Sequence, residues 1–499
     1  MLIDFNIKEK IKELKSNGKN LPAEYFDLGV AFWLLNPDEK EYTPEYLSKK
    51  YLHNERNPST RASSELQPNS SGLSKLHQFA QKKLKEYKLQ HLFKDLEMPL
   101  IDILSDMELR GIRLDIEALK KLDQRLQRAI EELVRGIYKK AGKTFNINSP
   151  KQISALLFEK LKVDSGGIRK TKSGGFSTDI EMLSLLKDRH PIVAQLIEYR
   201  ELFKMQSTYV RPLQELVGND GRIHTNYIQT GTATGRLSSQ HPNLQNIPNG
   251  TAWATALRSC FVADRGYTLV SFDYSQIELR ILASLSGDPK MIEAFERGLD
   301  IHTATAANIF NVDPKKVTSE MRRVAKTLNF GVVYGMGAIA FSKTSGLSFA
   351  EAKKFIAEYF SDFSKIKEWQ ERIKEQVRTA GYVTNLNGRR RWLLKAVSMF
   401  RGESAEAERA AINMPVQGLA ADIIKVAMVQ VAAELKRKGW WNNQVRMLLT
   451  IHDELLFEIK DDIMKEAIPL IARSMESAYQ LAVPITVTIK RGKNWGRVS

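Results

Sequence analysis

Cysteine is nearly absent: Cys260 is the single one in 499 residues. That excludes an intramolecular disulfide framework and any Cys-cluster zinc site, and it fits a reducing compartment. Long apolar runs are lacking too, with no uninterrupted stretch near the ~20 residues that span a bilayer. Met1 opens onto the charged LIDFNIKEKIKELK, not onto a secretion signal. A soluble, cytoplasmic protein with no membrane partner is expected. No repeat period is present. Hydrophobic content of 43% with 27% charged residues excludes a mainly disordered chain, and the length allows two to four domains. Positive charge is what the chain has in excess. Lys+Arg 75 against Asp+Glu 58 leaves +17, which suggests a polyanionic partner, with nucleic acid favoured over membrane. Basic clusters at Lys82-Lys83, Arg169-Lys170, Arg322-Arg323 and Arg389-Arg390-Arg391 are scattered, as suits a long groove better than a basic tail.

Residues 53–74 (HNERNPSTRASSELQPNSSGLS) are polar and rich in Ser, Asn and Pro, and read as a loop or linker. From Lys75 to about Gly218 the pattern is helical. Asp115 is a plausible N-cap, and Leu119, Leu122, Leu126, Ile130, Leu133 and Ile137 then recur every three or four residues. Strand patterns lie elsewhere: residues 267–273, residues 447–452 and 455–459 bracketing Asp453-Glu454 as a tight hairpin, and residues 483–489. Between about 287 and 435 the chain reads as helical again. The fold class is therefore α+β, a small sheet interrupted by a helical insertion. Gly142-Lys143-Thr144 and Gly331, Gly335 and Gly337 fail the spacing of phosphate-loop and dinucleotide motifs.

Three segments carry chemistry. Asp273, in FDYSQIELR, sits where a strand pattern meets a helical one; it is either a helix cap with Gln276 as capping-box partner or a functional carboxylate. Asp453-Glu454, in IHDELLFE, is either a pair of turn residues or a pair of carboxylates held at the edge of a dry core, where they repel unless a cation compensates. In RRVAKTLNFGVVYG, Arg322, Lys326 and Phe330 recur every fourth residue and share a helix face, with Tyr334 on its edge. Two cations and two rings suit a triphosphate bearing a base. Separated carboxylates beside a cationic helix fit two-metal phosphoryl transfer.

These three segments resemble, in order, the polymerase motifs of family A DNA polymerases. TATGRLSSQHPNLQNIP (232–248) and ERAAINMPVQGLAADIIK (408–425) are also similar to that family. The similarity runs from about Leu96 to the C-terminus, roughly four-fifths of the chain. It implies a right-hand architecture: palm antiparallel sheet, helical fingers and thumb. The implied domains are 1–95, a degenerate or truncated 3′–5′ exonuclease-like region; 96–219, thumb with a palm-entry segment; 220–285, first part of the palm; 286–403, fingers; and 404–499, second part of the palm. It implies two Mg²⁺ ions, with Mn²⁺ able to substitute, held by Asp273, Asp453 and the backbone carbonyl of Tyr274, with Glu454 beside them. Arg322, Lys326 and His302 would bind the triphosphate, and Phe330, Tyr334, Glu278 and Gln276 the rest of the nucleotide; Lys326 would also be the general acid. Arg236, Arg258, Arg409, Asn413, Gln417 and His452 would line the primer–template junction. The partners implied are primer–template DNA and dNTPs, for a monomeric enzyme working in a bacterial nucleoid or phage-infected cell on replication or repair.

Departures from the family are equally readable. Asp27 matches one exonuclease carboxylate, yet the opening Asp-x-Glu pair is missing, since Asp4-Phe5-Asn6 stands there, and no Asp lies between Leu66 and Lys94. Neither proofreading nor 5′-nuclease activity is expected. A single-subunit RNA polymerase is the nearest rival, against which Glu278 argues by crowding a ribose 2′ position. A catalytically dead DNA-binding subunit is the rival from another class, against which both aspartates argue.

Overall fold

The structure is a computed structural model that describes residues 1–52, 70–171, 174–398 and 401–498. The chain divides into two compact units. The smaller comprises Ile112–His224, Asn246–Asp264 and Gly492–Ser499. Its backbone is the helix Ile116–Ala141, whose N-cap is Asp115, with its side chain accepting from the Ala118 amide at 2.9 Å. Leu119, Leu122, Leu126, Ile130 and Ile137 are buried, whereas Leu133 is only half-buried. Gly142 ends this helix in the left-handed conformation (φ +64°), a helix stop and not a phosphate loop.

The larger unit comprises Met1–Gly111, Thr225–Gln245 and Arg265–Arg491. Its centre is a four-stranded sheet in which Tyr267–Tyr274 lies between Glu454–Lys460 and Val487–Gly492, with Val445–Ile451 outermost. Antiparallel pairing sets Glu454 opposite Asp273, Leu455 opposite Phe272 and Phe457 opposite Val270. Val270, Phe272, Leu455 and Phe457 are buried in the main core, and Leu269 and Leu456 on the opposite face are buried as well, so these two strands are covered on both faces.

Several expectations are corrected. The hairpin tip is His452-Asp453, with Ile451 paired to Glu454, so Glu454 already belongs to the strand. His452 takes a left-handed backbone (φ 54°), which lets two residues close the turn. The last strand begins at Val487, four residues later than the apolar pattern at 483 suggests. The helical insertion holds a hairpin, Tyr382–Thr384 with Arg390–Trp392, whose signal was the NLNG turn sequence. Helix begins at Ser70, inside the polar stretch read as a loop; residues 53–69 lie outside the described residues. The helix Arg401–Arg437 contains a window long and apolar enough to cross a membrane, although Asp422 and Lys425 interrupt its apolar run, and 72% of that window is buried inside the protein. It is a core helix of the larger unit.

Within this unit, residues 1–52 share a second core with residues from Leu76 to Ile101. Leu2–Asp4 and Tyr25–Asp27 pair in parallel, and every residue of the helix Leu28–Leu35 is buried.

Candidate active site

Asp273 lies within a strand and caps nothing. The following helix, Ile277–Ser286, has Gln276 as its N-cap, in the left-handed region (φ 54°) and without a side-chain capping bond. The capping-box alternative is thereby removed. The Tyr274 amide donates to the Asp453 carbonyl at 3.1 Å, so the hairpin tip is tied to the strand that carries Asp273. The Tyr274 side chain is turned inward, its hydroxyl donating to the Met475 carbonyl at 2.7 Å, which leaves only its backbone for the site.

Asp273, near the end of its strand, and Asp453, at the hairpin tip, thus stand together, Asp273 exposed on one side and Asp453 half-buried. Burial, and then the charge of Glu454, push Asp273 up to about 6, against the pull of Lys490. Burial likewise pushes Asp453 up to about 6; Arg236 opposes the shift, and Glu278 and Asp273 add to it. Ser271 donates to Glu454 at 2.6 Å. Among the described residues no group of three or more His, Cys, Asp or Glu side chains converges as a closed metal cage. The donor set fits an open site for a hard cation completed by substrate oxygens, because mutual repulsion of these carboxylates is what a divalent ion relieves.

A cavity of ≈ 280 Å³ is lined by Asp453, Tyr274, Gln276, Glu278, His302, Arg322, Lys326 and Phe330. The helix Ser319–Val333 presents Arg322, Lys326 and Phe330 to it, while Tyr334 is the C-cap residue beyond the last turn. Tyr334 donates to Glu278 Oε2 at 2.8 Å and Arg236 to Glu278 Oε1 at 2.6 Å, so one buried carboxylate bridges a phenol and a guanidinium. Gln417 also hydrogen-bonds Tyr334.

Sequence reasoning missed the residues that hold these groups. Asp300 caps the helix Ile301–Phe310 and accepts from Arg322 Nε at 2.6 Å, fixing that guanidinium. Asn329 is fully buried; its oxygen accepts from Thr305 at 3.1 Å, which points its amide nitrogen at His302 Nδ1, 3.0 Å away. Burial, reinforced by Arg322 and Lys326, drops His302 to about 4 despite Asp300. The imidazole is therefore neutral near pH 7, with its proton on Nε2. The Asp two residues before His302 and the Asn beside Phe330 were the available signals.

Arg409, Asn413 and Gln417 fall every fourth residue along Arg401–Arg437 and share a face. Asn413 Oδ1 is buried with no hydrogen-bond partner among the described residues. Arg409 is exposed near Gly335. Arg236, His452 and Asp453 line a second, smaller cavity that Lys425 also reaches. Arg258 belongs to the smaller unit, where it donates to the Ile247 and Pro248 carbonyls at 2.9 Å each and stacks on Trp495. Asp27 is likewise engaged: its two oxygens accept from the Val30 and Ile7 amides at 3.0 and 2.8 Å, capping a helix.

Comparison with known proteins gives the lineage. The chain belongs to DNA polymerase family A, which matches residues 116–497. It is 46% identical over 409 residues to the thermostable DNA polymerase I of Thermus filiformis, covering 82% of this chain and 48% of that one. It is 45% identical over 415 residues to DNA polymerase I of Chloroflexus aurantiacus, covering 82% and 44%. The chain thus spans about half the length of these curated relatives. Among solved structures, the polymerase domain of Pol1 from M. smegmatis, in complex with DNA primer–template and dNTP, matches with a TM-score of 0.91 at 36% identity, over 99% of this chain and 86% of that one.

Proposed function

We propose that this chain is a template-directed DNA polymerase that adds deoxynucleotides to a primer 3′ end with release of diphosphate. The observation that carries the reading is a single cavity joining a carboxylate raised to about 6 to Arg322, Lys326, His302 and Phe330. Family membership and the relatives' printed names support it.

In this reading Asp273, Asp453 and the Tyr274 carbonyl would hold two Mg²⁺ ions, or Mn²⁺, which supply charge neutralisation for the attacking and leaving oxygens. Arg322, pre-oriented by Asp300, and the His302 Nε2–H grip the triphosphate. Lys326 balances the charge of the leaving diphosphate and gives it a proton. Phe330 and Tyr334 contact sugar and base. Glu278, fixed from both sides, fills the space a ribose 2′-hydroxyl would need, which favours dNTPs over NTPs. Arg236, Asn413, Gln417 and His452 offer donors to the minor-groove acceptors that every correct pair presents, so geometry is tested without reading sequence. Arg409 accompanies them, and Arg258, within the smaller unit, braces the Ile247–Pro248 backbone. Residues 96–219 act as thumb, 286–403 as fingers and the flanking segments as palm, in a monomeric, cytoplasmic enzyme. Proofreading is not expected of this chain, because Asp27 is engaged as a helix cap.

Primer extension with Mg²⁺ is the test. The parent should extend with dNTPs and hardly with NTPs. Asp453→Ala should lose nearly all incorporation while keeping primer–template affinity within a few-fold, because the basic groove persists. Near-normal extension by Asp453→Ala would sink the assignment.

A further inference from the structure

The larger unit buries four charges together. Glu97 and Asp422 are fully buried, Lys425 is fully buried, and Arg389 is 3% exposed. Glu97 accepts from Arg389 at 2.5 Å and from Lys425 at 2.8 Å, and Asp422 accepts from Arg389 at 2.8 Å. Gln229 and Asn385 complete the carboxylates' hydrogen bonds. Nothing in the mechanism above uses these groups, and buried ion clusters are costly unless geometry and partners are complete. One face of the cluster is closed by an aromatic ring from the exonuclease-like region. The Trp33 ring carries the Arg389 guanidinium 4.9 Å and the Lys425 ammonium 5.0 Å from its centroid.

That same indole reaches the polymerase site. Trp33 Nε1 donates to the Thr232 carbonyl at 3.0 Å, and the Thr232 hydroxyl donates to the Arg236 carbonyl at 2.8 Å. Between them, Gly235 (φ +90°) lies so close that an added Cβ would stand 2.9 Å from Arg389 Nε. The loop 232–236 is therefore seated on the cluster and pinned at both ends, with the Arg236 side chain emerging onto Glu278.

We propose that Trp33 and the buried cluster Glu97–Arg389–Asp422–Lys425 form a positioning device for Arg236, which makes the exonuclease-like region a working part of the polymerase site. The inference rests on the polymerase reading and on the role given there to Arg236.

A double-mutant cycle tests it. Trp33→Phe keeps a ring beneath both cations and removes only the donor to Thr232. We expect kcat for extension of a paired primer to fall about five- to tenfold, the worth of about one hydrogen bond, with KM for dNTP unchanged. In an Arg236→Ala background the same change should have no further effect. Trp392→Phe is the control: it removes another indole bond across the same interface, to the Leu35 carbonyl at 3.0 Å, and should leave kcat as in the parent. If Trp33→Phe fails to fold, Thr232→Val breaks the next link and should behave identically. Additive losses in the Arg236→Ala background, or equal losses from Trp392→Phe, would overturn the positioning role while leaving the polymerase reading intact. A parent that extends no primer would overturn both.

Discussion

At the residue scale, the two central aspartates are arranged at the expense of stability. A carboxyl raised to about 6 in the folded protein prefers its neutral form there, so the stability it allows is fully present below its unfolded value near 4 and is lost as pH rises through 6. Asp273→Asn should therefore raise the melting temperature of the divalent-free protein at pH 7–8, by the equivalent of about 1 kcal/mol after allowance for solvent screening, and give no gain at pH 4. Thermal scans across that range check it, and Mg²⁺ should stabilise the parent more than the variant. Phe330 invites a second test. It lines the nucleotide cavity with its ring 5.7 Å from His302 and brings no hydrogen-bonding group. Phe330→Tyr would add a phenol able to donate to a phosphate oxygen that a dideoxynucleotide leaves without its own 3′-hydroxyl. Dideoxy relative to deoxy incorporation should rise roughly ten- to a hundred-fold. An unchanged ratio would move Phe330 away from the sugar.

At the scale of elements, the loop 232–236 and the helix Arg401–Arg437 explain why some of the site was legible and some was not. Asp273, Asp453, Arg322, Lys326 and Phe330 announce themselves because their spacing is local: one strand, one turn, one helix face. Asp300, Asn329 and the cluster around Glu97 do not, because their meaning depends on pairings across long stretches of sequence, such as Glu97 with Arg389. The same limit applies to Gly235, an ordinary loop glycine in sequence whose positive φ and contact with Arg389 appear only in the fold. Gly235→Ala should cost about 1–3 kcal/mol through backbone strain and displacement of the guanidinium, read as a lower denaturant midpoint with unchanged m. Gly250→Ala, where φ is also positive (+87°) but nothing lies within 4 Å, isolates the strain component. Boundary errors had local causes too: Pro484 interrupts the apolar pattern before the last strand, and the hairpin within the helical insertion is only three residues per strand.

For the whole molecule, the α+β class and the family were readable from motif order, whereas the integration of the N-terminal region was not. Lys8 is bonded to Glu108, Asn226 and the Tyr227 carbonyl, and Asp38 to Arg391 at 2.9 Å, so the region shares the framework of the large unit. Removing residues 1–95 should leave a protein without a cooperative thermal transition, because Glu108 loses Lys8 and Lys12, and Arg389 and Lys425 lose the Trp33 ring that covers them. A cooperative melt within a few degrees of the parent would contradict this. The cluster around Trp33 also constrains how such a sequence can diverge. Two acids, two bases and an indole drawn from four separated segments can be exchanged only as a set. Chimeras that join the first hundred residues of one relative to the remainder of another should therefore succeed or fail according to whether both parents carry matching members of that set, whatever their overall identity.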